Sequence, residues 1–140
     1  MPFTIRRLNA GDAAVFAAIA PDVFDEPVDP ARLDTYLKTP GHMMVLAFEG
    51  DLVVGQCAGV IHRHPDKSTE LYVDEVGTAS THRRQGIARA MLDELFHWGR
   101  ELGCEEAWLG TELDNDPANA LYRHYRPVED EAIQYYLFRL

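Results

Sequence analysis

Cysteine is scarce in this sequence, and long apolar runs are missing from it. The 140 residues include two cysteines, Cys57 and Cys104, which are too few for a disulfide framework and lack the spacing of a metal site. The longest apolar runs fall far below the ~20 residues of a membrane helix, and no basic region followed by an apolar core opens the chain. We therefore expect a cytoplasmic protein with reduced thiols.

Basic residues are few compared with acidic ones. Thirteen Lys and Arg stand against 23 Asp and Glu, a net charge of −10, which repels nucleic acid and anionic lipid and attracts cationic ligands. Solubility alone is the other explanation for such a charge. Because the acidic residues gather in two stretches, residues 22–29 and 112–116, we expect a cationic small-molecule partner, and neither nucleic acid nor a membrane.

Recognisable metal-ligand spacing is also missing. His62 and His64 are two residues apart and therefore share one face of a predicted strand. No cysteine or carboxylate accompanies them at the usual ligand spacing. We expect no metal site.

The hydrophobic pattern predicts one α/β domain over residues 1–140. The predicted order is strand, helix, helix, three strands, helix, strand, helix and strand, at residues 3–8, 13–20, 30–38, 43–48, 52–61, 69–78, 87–102, 105–113, 118–125 and 133–140. Asp12 and Asp29 are the predicted N-caps of the first two helices. An antiparallel meander followed by a helical crossover to a parallel strand gives a mixed central sheet flanked by helices.

The turn between the third central strand and the long helix has the chemistry of an anion site. Arg83, Arg84 and Gly86 fall where the helix begins. A helix N-terminus presents free backbone NH groups and the positive end of its dipole, and a glycine lets a ligand come close. An ordinary helix start with solvated arginines is the alternative.

The pattern Arg83-x-x-Gly86-x-Ala88 resembles the acetyl-coenzyme A signature of the GNAT superfamily of N-acetyltransferases, and the order of elements is similar along nearly the whole chain. A second resemblance is Asn115-x-x-Ala118-x-x-Leu121-Tyr122. The resemblance implies the GNAT fold and acetyl-CoA as cosubstrate. The cosubstrate-binding residues it implies are Val76, Gly77, Thr78, Arg83, Arg84, Gln85, Gly86, Ile87, Ala88, Asn115, Ala118 and Tyr122.

The same resemblance implies that the central strand and the next one splay apart, and it assigns three catalytic roles. The Val76 NH stabilises the oxyanion formed at the thioester, Tyr122 protonates the departing thiolate, and Glu75 is the base for the amine. Neighbouring strand residues face opposite ways unless a bulge intervenes, so only one of Asp74 and Glu75 is expected to face the cleft. Plain alternatives are core packing for Val76, a half-buried aromatic for Tyr122, a solvated carboxylate for Glu75 and a helix cap for Asn115.

Within the superfamily, the stretch from Glu70 to Ala88 is most similar to the aminoglycoside 3-N-acetyltransferases. That similarity implies carboxylates that bind a polycationic sugar: Asp25, Glu26, Asp29, Asp74, Glu75, Glu112 and Asp114. The segment His124 to Val128 departs from the family pattern and affects the acceptor pocket. One alternative is the same reaction on another amine, such as a polyamine, an amino acid or a protein N-terminus. The other alternative is a CoA-binding module without catalysis. The aromatic last strand, with Tyr135, Tyr136 and Phe138, packs inside or forms a homodimer contact.

Overall fold

The structure is a computed structural model that describes residues 2–140. It contains two compact units, one ending at Leu109 and one running from Gly110 to Leu140. Each unit is described by itself. Among the described residues, no helix has the length and apolar character needed to cross a membrane.

The first unit is built on a five-stranded sheet in the order β1-β2-β3-β4-β5. The strands are β1 (Thr4–Arg7), β2 (His42–Glu49), β3 (Leu52–His62), β4 (Glu70–Thr78) and β5 (Glu106–Trp108), and the helices are α1 (Pro30–Lys38) and α2 (Ile87–Glu101). The first four strands are antiparallel to their neighbours, whereas β5 is parallel to β4. The predicted mixed sheet is therefore confirmed.

Helix α2 packs its apolar stripe on the sheet. Ile87, Met91 and Leu95 are fully buried, as their spacing of four residues predicts. A Cβ at Gly55 would lie 2.9 Å from Ile87 Cγ2, and one at Gly59 would lie 3.1 Å from the Leu95 methyl carbons. The two glycines of β3 thus let the helix approach the strand.

The predicted stop of α2 at Gly103 is confirmed by its geometry. Gly103 has a φ of +86°, its NH donates to Arg100 O at 3.1 Å, and the Cys104 NH donates to Gly99 O at 2.9 Å. This pair of hydrogen bonds satisfies the last carbonyls of the helix, and the left-handed residue it requires favours glycine.

The predicted α-helix over residues 13–20 is wrong. A short 3₁₀ helix spans Ala13–Ala17, and Asp12 does not cap it through its side chain. The Asp12 carboxylate instead accepts the Asn9 NH at 2.8 Å and pairs with Arg6. After the 3₁₀ helix, Ile19 forms a parallel bridge with Val53 of β3. Because the backbone at this point pairs with the sheet, it does not continue as the predicted helix.

The bulge that would change the orientation of Asp74 and Glu75 is present. Glu75 pairs with Ala58 and Val73 pairs with Gly59, which leaves Asp74 as an extra residue in β4. Such a bulge interrupts the alternation of side chains along a strand. The expectation that these two carboxylates face opposite ways was founded on unbroken alternation, which β4 does not have at this point.

The second unit contains one helix, α3 (Asp116–His124). Residues 126–140 form neither helix nor strand, so the predicted strand Ile133–Leu140 is wrong. A strand needs a neighbour for its backbone groups, and none is paired with these residues within the described part of the chain. Tyr135, Tyr136 and Phe138 are 77%, 72% and 78% exposed, which excludes the alternative that they pack inside.

Candidate functional site

Strands β4 and β5 stay together over only three residue pairs. Glu70, Leu71 and Tyr72 pair with Glu106, Ala107 and Trp108, while β4 continues along β3 as far as Thr78. From Val73 onward, the β5 side of β4 has no strand partner among the described residues. Val76, Gly77 and Thr78, where the family resemblance implies that the two strands splay apart, lie on this unpaired stretch.

Two contacts hold the chain where it enters the turn of residues 82–88, which we call the arginine turn. The Ala79 NH donates to Val54 O at 2.8 Å, and His82 Nε2 lies 2.9 Å from Glu49 Oε2 at the end of β2. Because these bonds connect the turn to the sheet, the backbone between His82 and α2 starts from a defined position.

The start of α2 is open and positively charged. Gly86 is the N-cap residue with a φ of +80°, and across residues 2–140 no side chain caps this helix. A Cβ at Gly86 would meet nothing within 4 Å, and Arg83, Arg84 and Gln85 are exposed. Arg84 also has a φ of +64°, a conformation rare for a side chain of this size. The free NH groups and two guanidinium groups suit a diphosphate.

Gly77 lets the acidic segment approach β4. A Cβ there would lie 2.3 Å from Val23 O, so only glycine fits. Val23 itself is 2% exposed, and its carbonyl accepts from Gln56 Nε2 at 3.3 Å. This anchor brings the segment that carries Asp25 and Glu26 against the end of the strand that carries Glu75.

Three carboxylates and one tyrosine interact electrostatically at this end of β4. Partial burial of its carboxyl, followed by the negative charges of Asp74 and Asp25, raises the pKa of Glu75. Burial, followed by Asp74 and Glu75, raises the pKa of the Tyr36 hydroxyl well above its usual value. Asp25, Asp74, Glu75 and Tyr36 therefore form one cluster, which we call the acidic cluster. Glu75 keeps contact with solvent, as a group that exchanges protons with a ligand requires.

Tyr36 is the member of the acidic cluster that the sequence analysis missed. Its hydroxyl is buried and has no hydrogen-bond partner among the described residues. The hydroxyl can therefore donate a hydrogen bond to a ligand near Asp74 and Glu75. The available signal was the spacing of three between buried Leu33 and Tyr36, which places both on the inner face of α1.

Two surface depressions flank the acidic cluster. One of about 280 Å³ is lined by residues 19–22 and 24–28, which include Asp25 and Glu26. The other, of about 480 Å³, is lined by Tyr36 and four neighbours on or beside α1. The arginine turn and Glu75 line neither of them, so these depressions suit contacts to an acceptor rather than the chemistry itself.

The remaining predicted acceptor carboxylates do not all join the cluster. Asp29 caps α1, since its Oδ2 accepts the Arg32 NH at 2.9 Å. Glu112 and Asp114 belong to the second unit and are exposed there. Their contact with an acceptor stays a prediction.

Helix α3 carries the second family pattern within its own unit. Asn115 Oδ1 accepts the Ala118 NH at 3.3 Å, so the amide caps the helix as the alternative interpretation required. Ala118 and Tyr122 lie on the same face, four residues apart, and both are partly buried. A helix-capping role leaves the Asn115 Nδ2 donor only a long contact, 3.5 Å to Thr111 Oγ1.

Neither cysteine is set up as a nucleophile. Burial raises the pKa of the Cys57 thiol to about 12, and burial also raises that of Cys104. Since the thiolate is the reactive form, both groups stay protonated at neutral pH.

Comparison with known proteins identifies relatives. The family model described as "Acetyltransferase (GNAT) family" matches residues 13–125. The L-2,4-diaminobutyric acid acetyltransferase of Oceanobacillus iheyensis is 32% identical over 74 residues, 53% of this chain and 39% of that protein. The chain thus spans about two fifths of the length of this curated relative.

Solved structures share the fold. An aminoglycoside acetyltransferase, meta-AAC0020, from an uncultured soil metagenomic sample, in complex with sisomicin, has a TM-score of 0.82 at 20% identity, covering 99% of this chain and 96% of that one. The aminoglycoside acetyltransferase AAC(6')-Iy in complex with a bisubstrate analogue has a TM-score of 0.81 at 18% identity, and each chain is covered fully.

Replacing Glu75 by Gln should stabilise the protein increasingly as the pH rises. The fold raises the pKa of Glu75 above its ordinary value of 4.5, so the ionised carboxylate opposes folding. This loss of stability is absent at a pH below the pKa that Glu75 has in the unfolded chain. It is complete at a pH above the raised pKa of Glu75 in the folded protein. Urea denaturation from pH 4 to pH 8 would measure it. Glu129→Gln, an exposed carboxylate outside the acidic cluster, is the control, and a Glu75→Gln variant that loses stability at pH 8 would contradict the interpretation.

Proposed function

The chain belongs to the acetyltransferase (GNAT) family, and we propose that it transfers the acetyl group of acetyl-CoA directly to a primary amine of a polycationic acceptor, an aminoglycoside at its 3-amino group. The observation that carries the proposal is the open, doubly basic start of α2 beside the unpaired stretch of β4. A diphosphate carrier fits the first feature, and an extended arm with amide groups fits the second.

Residues 83–88 would hold the diphosphate, with Gly86 leaving room for it. Val76, Gly77 and Thr78 would receive the arm along the free side of β4, and Asn115 and Ala118 would complete the contacts from the second family pattern. The Val76 NH would donate to the carbonyl oxygen as negative charge develops there. No metal is required, because attack by an amine on a thioester needs a base and an acid only.

Glu75 is the proposed base. Its raised pKa makes it a better proton acceptor than an ordinary glutamate. As the amine nitrogen bonds to the acetyl carbon, Glu75 takes the amine proton. The carbon–sulfur bond then breaks, and the Tyr122 hydroxyl gives its proton to the thiolate, since a phenol of pKa ~10 can serve as the acid. The products are the N-acetylated amine and free coenzyme A thiol. The proton that Glu75 gains equals the one that Tyr122 loses, and its transfer from Glu75 to the Tyr122 phenolate through solvent restores both groups.

The charge of the acidic cluster favours a polycation over an amino acid. Asp25, Asp74 and Glu75 repel a carboxylate and attract several ammonium groups. The Oceanobacillus relative is named for an amino acid that carries two amines, which keeps small diamines as the second candidate. A binding module without catalysis is less favoured, because Glu75 and Tyr122 are both retained.

The exposed C-terminal aromatics support the proposal of a homodimer in the cytoplasm. Tyr135, Tyr136 and Phe138 expose more than two thirds of their surface, and water favours their burial against a second copy. Sedimentation velocity of the full chain would show a monomer if the idea is wrong.

Thiol release from acetyl-CoA in the presence of an amine panel tests the function. We expect release with gentamicin-like aminoglycosides at a kcat/KM at least tenfold above that with polyamines, 2,4-diaminobutyrate or peptide N-termini. NMR of the product would locate the acetyl group. If diaminobutyrate alone gave thiol release, it would replace the aminoglycoside as the proposed acceptor. If none of the amines gave thiol release, the binding module without catalysis would be favoured.

Removing both guanidinium groups should weaken coenzyme A binding. The variant Arg83→Ala/Arg84→Ala loses two charged donors, each worth ~1.5 kcal/mol or more, so we expect Kd to rise at least tenfold. Calorimetry at modest ionic strength would measure it. Arg100→Ala, at the opposite end of α2, is the control and should bind as the wild type does. An unchanged Kd in the double variant would remove the arginine turn from the site.

Tyr122→Phe should lower turnover and leave coenzyme A affinity nearly intact. Loss of a general acid typically costs 10²- to 10⁴-fold in rate, whereas the ring keeps its packing. Thiol release gives kcat, and calorimetry gives the affinity. Tyr125→Phe, at the C-cap of the same helix, is the matched control. Equal rates for the wild type and Tyr122→Phe would exclude the tyrosine from the mechanism.

A further inference from the structure

A cluster of three side chains lies at the end of the β3–β4 hairpin, away from the proposed active site. His62 ends β3, Glu70 begins β4 directly opposite it, and His64 lies in the connecting loop. Glu75 lies five positions after Glu70 along β4, which at ~3.3 Å per residue is about 16 Å. The two sites therefore do not share side chains.

The ligand atoms of this cluster converge. One ring nitrogen from each histidine and one Glu70 oxygen all lie within 4.8 Å of one another. His64 Nε2 is 2.6 Å from Glu70 Oε1, and His62 Nδ1 is 3.9 Å from the same oxygen. A tetrahedral Zn²⁺ with ligands at 2.0–2.1 Å separates its ligand atoms by about 3.3 Å, a value between these two distances.

Burial and backbone also favour an ion here. The side chains of His64 and Glu70 are 15% and 24% exposed, whereas that of His62 is 53% exposed, so the cluster is sheltered on one side and open to solvent on the other. The antiparallel register fixes His62 against Glu70. Small rotations of three side chains, without movement of the strands, would bring the donors to their places.

We propose that His62, His64 and Glu70 bind a Zn²⁺ ion that joins the end of β3 to the start of β4. Two imidazoles and one carboxylate are a donor set that zinc accepts, with water in the fourth position. The Glu70 carboxylate already accepts a hydrogen bond from His64 at 2.6 Å, which holds two of the three donors together before an ion binds. The Lys67 ammonium acts on Glu70 and opposes the ion.

The proposal departs from the sequence-based expectation of no metal site, which was founded on the lack of a carboxylate at the usual ligand spacing. Glu70 is six residues from His64 along the chain, outside that spacing. Only the hairpin register brings it opposite His62.

The rival explanation is that the His64–Glu70 hydrogen bond merely closes the hairpin. The variant His62→Ala separates the two, since it removes a zinc ligand and leaves that bond in place. His97→Ala is the matched control, because His97 also pairs with a glutamate, Glu101 at 3.3 Å on α2, but among the described residues has no second histidine within that group. The third member there is Arg7, which pairs with Glu101 at 2.6 Å.

Calorimetric titration of untagged protein with ZnCl₂, followed by Co²⁺ absorption spectra, tests the proposal. We expect one Zn²⁺ per chain, at least tenfold weaker binding in His62→Ala, His64→Ala and Glu70→Gln, and no change in His97→Ala. The Co²⁺ form should show the intense visible bands of a tetrahedral site. Zn²⁺ should raise the Tm of the wild type, and EDTA should reverse it. Absent binding at millimolar Zn²⁺, or equal binding by wild type and His62→Ala, would overturn the site, and neither result bears on acetyl transfer.

Discussion

The site depends on β4 having two partners of unequal length. Antiparallel pairing with β3 continues to Thr78, while parallel pairing with β5 ends at Tyr72. The strand is thereby held rigidly on one side and left with free backbone groups on the other. Because buried backbone groups need partners, such a stretch either takes a ligand or takes water. The chain then passes through residues 79–82 to the basic start of α2, so the unpaired residues 76–78 and the proposed diphosphate-binding residues 83–88 lie within thirteen residues of one another.

The two charges of the site are kept apart by the sheet connections. His82 ties the arginine turn to the end of β2 through Glu49, whereas Gly77 and Gln56 hold the acidic segment through Val23. If the acidic cluster lay next to the arginines, the opposite charges would neutralise each other. The arginines would then attract an anion less strongly, and the carboxylates would attract a cation less strongly. The chain as a whole carries a net charge of −10, so the exposed Arg83 and Arg84 are a local exception to its negative charge. Burial of the carboxyl raises the pKa of Glu75 first, and the negative charges of Asp74 and Asp25 raise it further. Both effects disfavour the ionised form and therefore cost stability at neutral pH.

Much of the fold could be predicted because its signals are local. The apolar stripe of α2 and the glycine at its end, Gly103, each specify structure within a few residues. The arginine turn was found for the same reason. Other features needed information about distant neighbours. Residues 18–20 follow an alanine-rich run that favours a helix, yet they pair with Val53. Residues 133–140 have strand composition, yet no described strand pairs with them. Tertiary pairing decided both cases against local propensity.

The bulge at Asp74 shows why the candidate site could be predicted only in part. Strand periodicity alone assigns Asp74 and Glu75 to opposite faces. A single extra residue, set by the register between Ala58 and Gly59, lets both carboxylates act on Tyr36. The register is set by how two strands pair, so it cannot be predicted from the sequence of either strand alone. The same holds at the other end of β4, where Glu70 meets His62 across the ladder. In both places the chemistry comes from residues that the sheet, rather than the sequence spacing, brings together, so a search by motif finds the arginine turn and misses Tyr36 and Glu70.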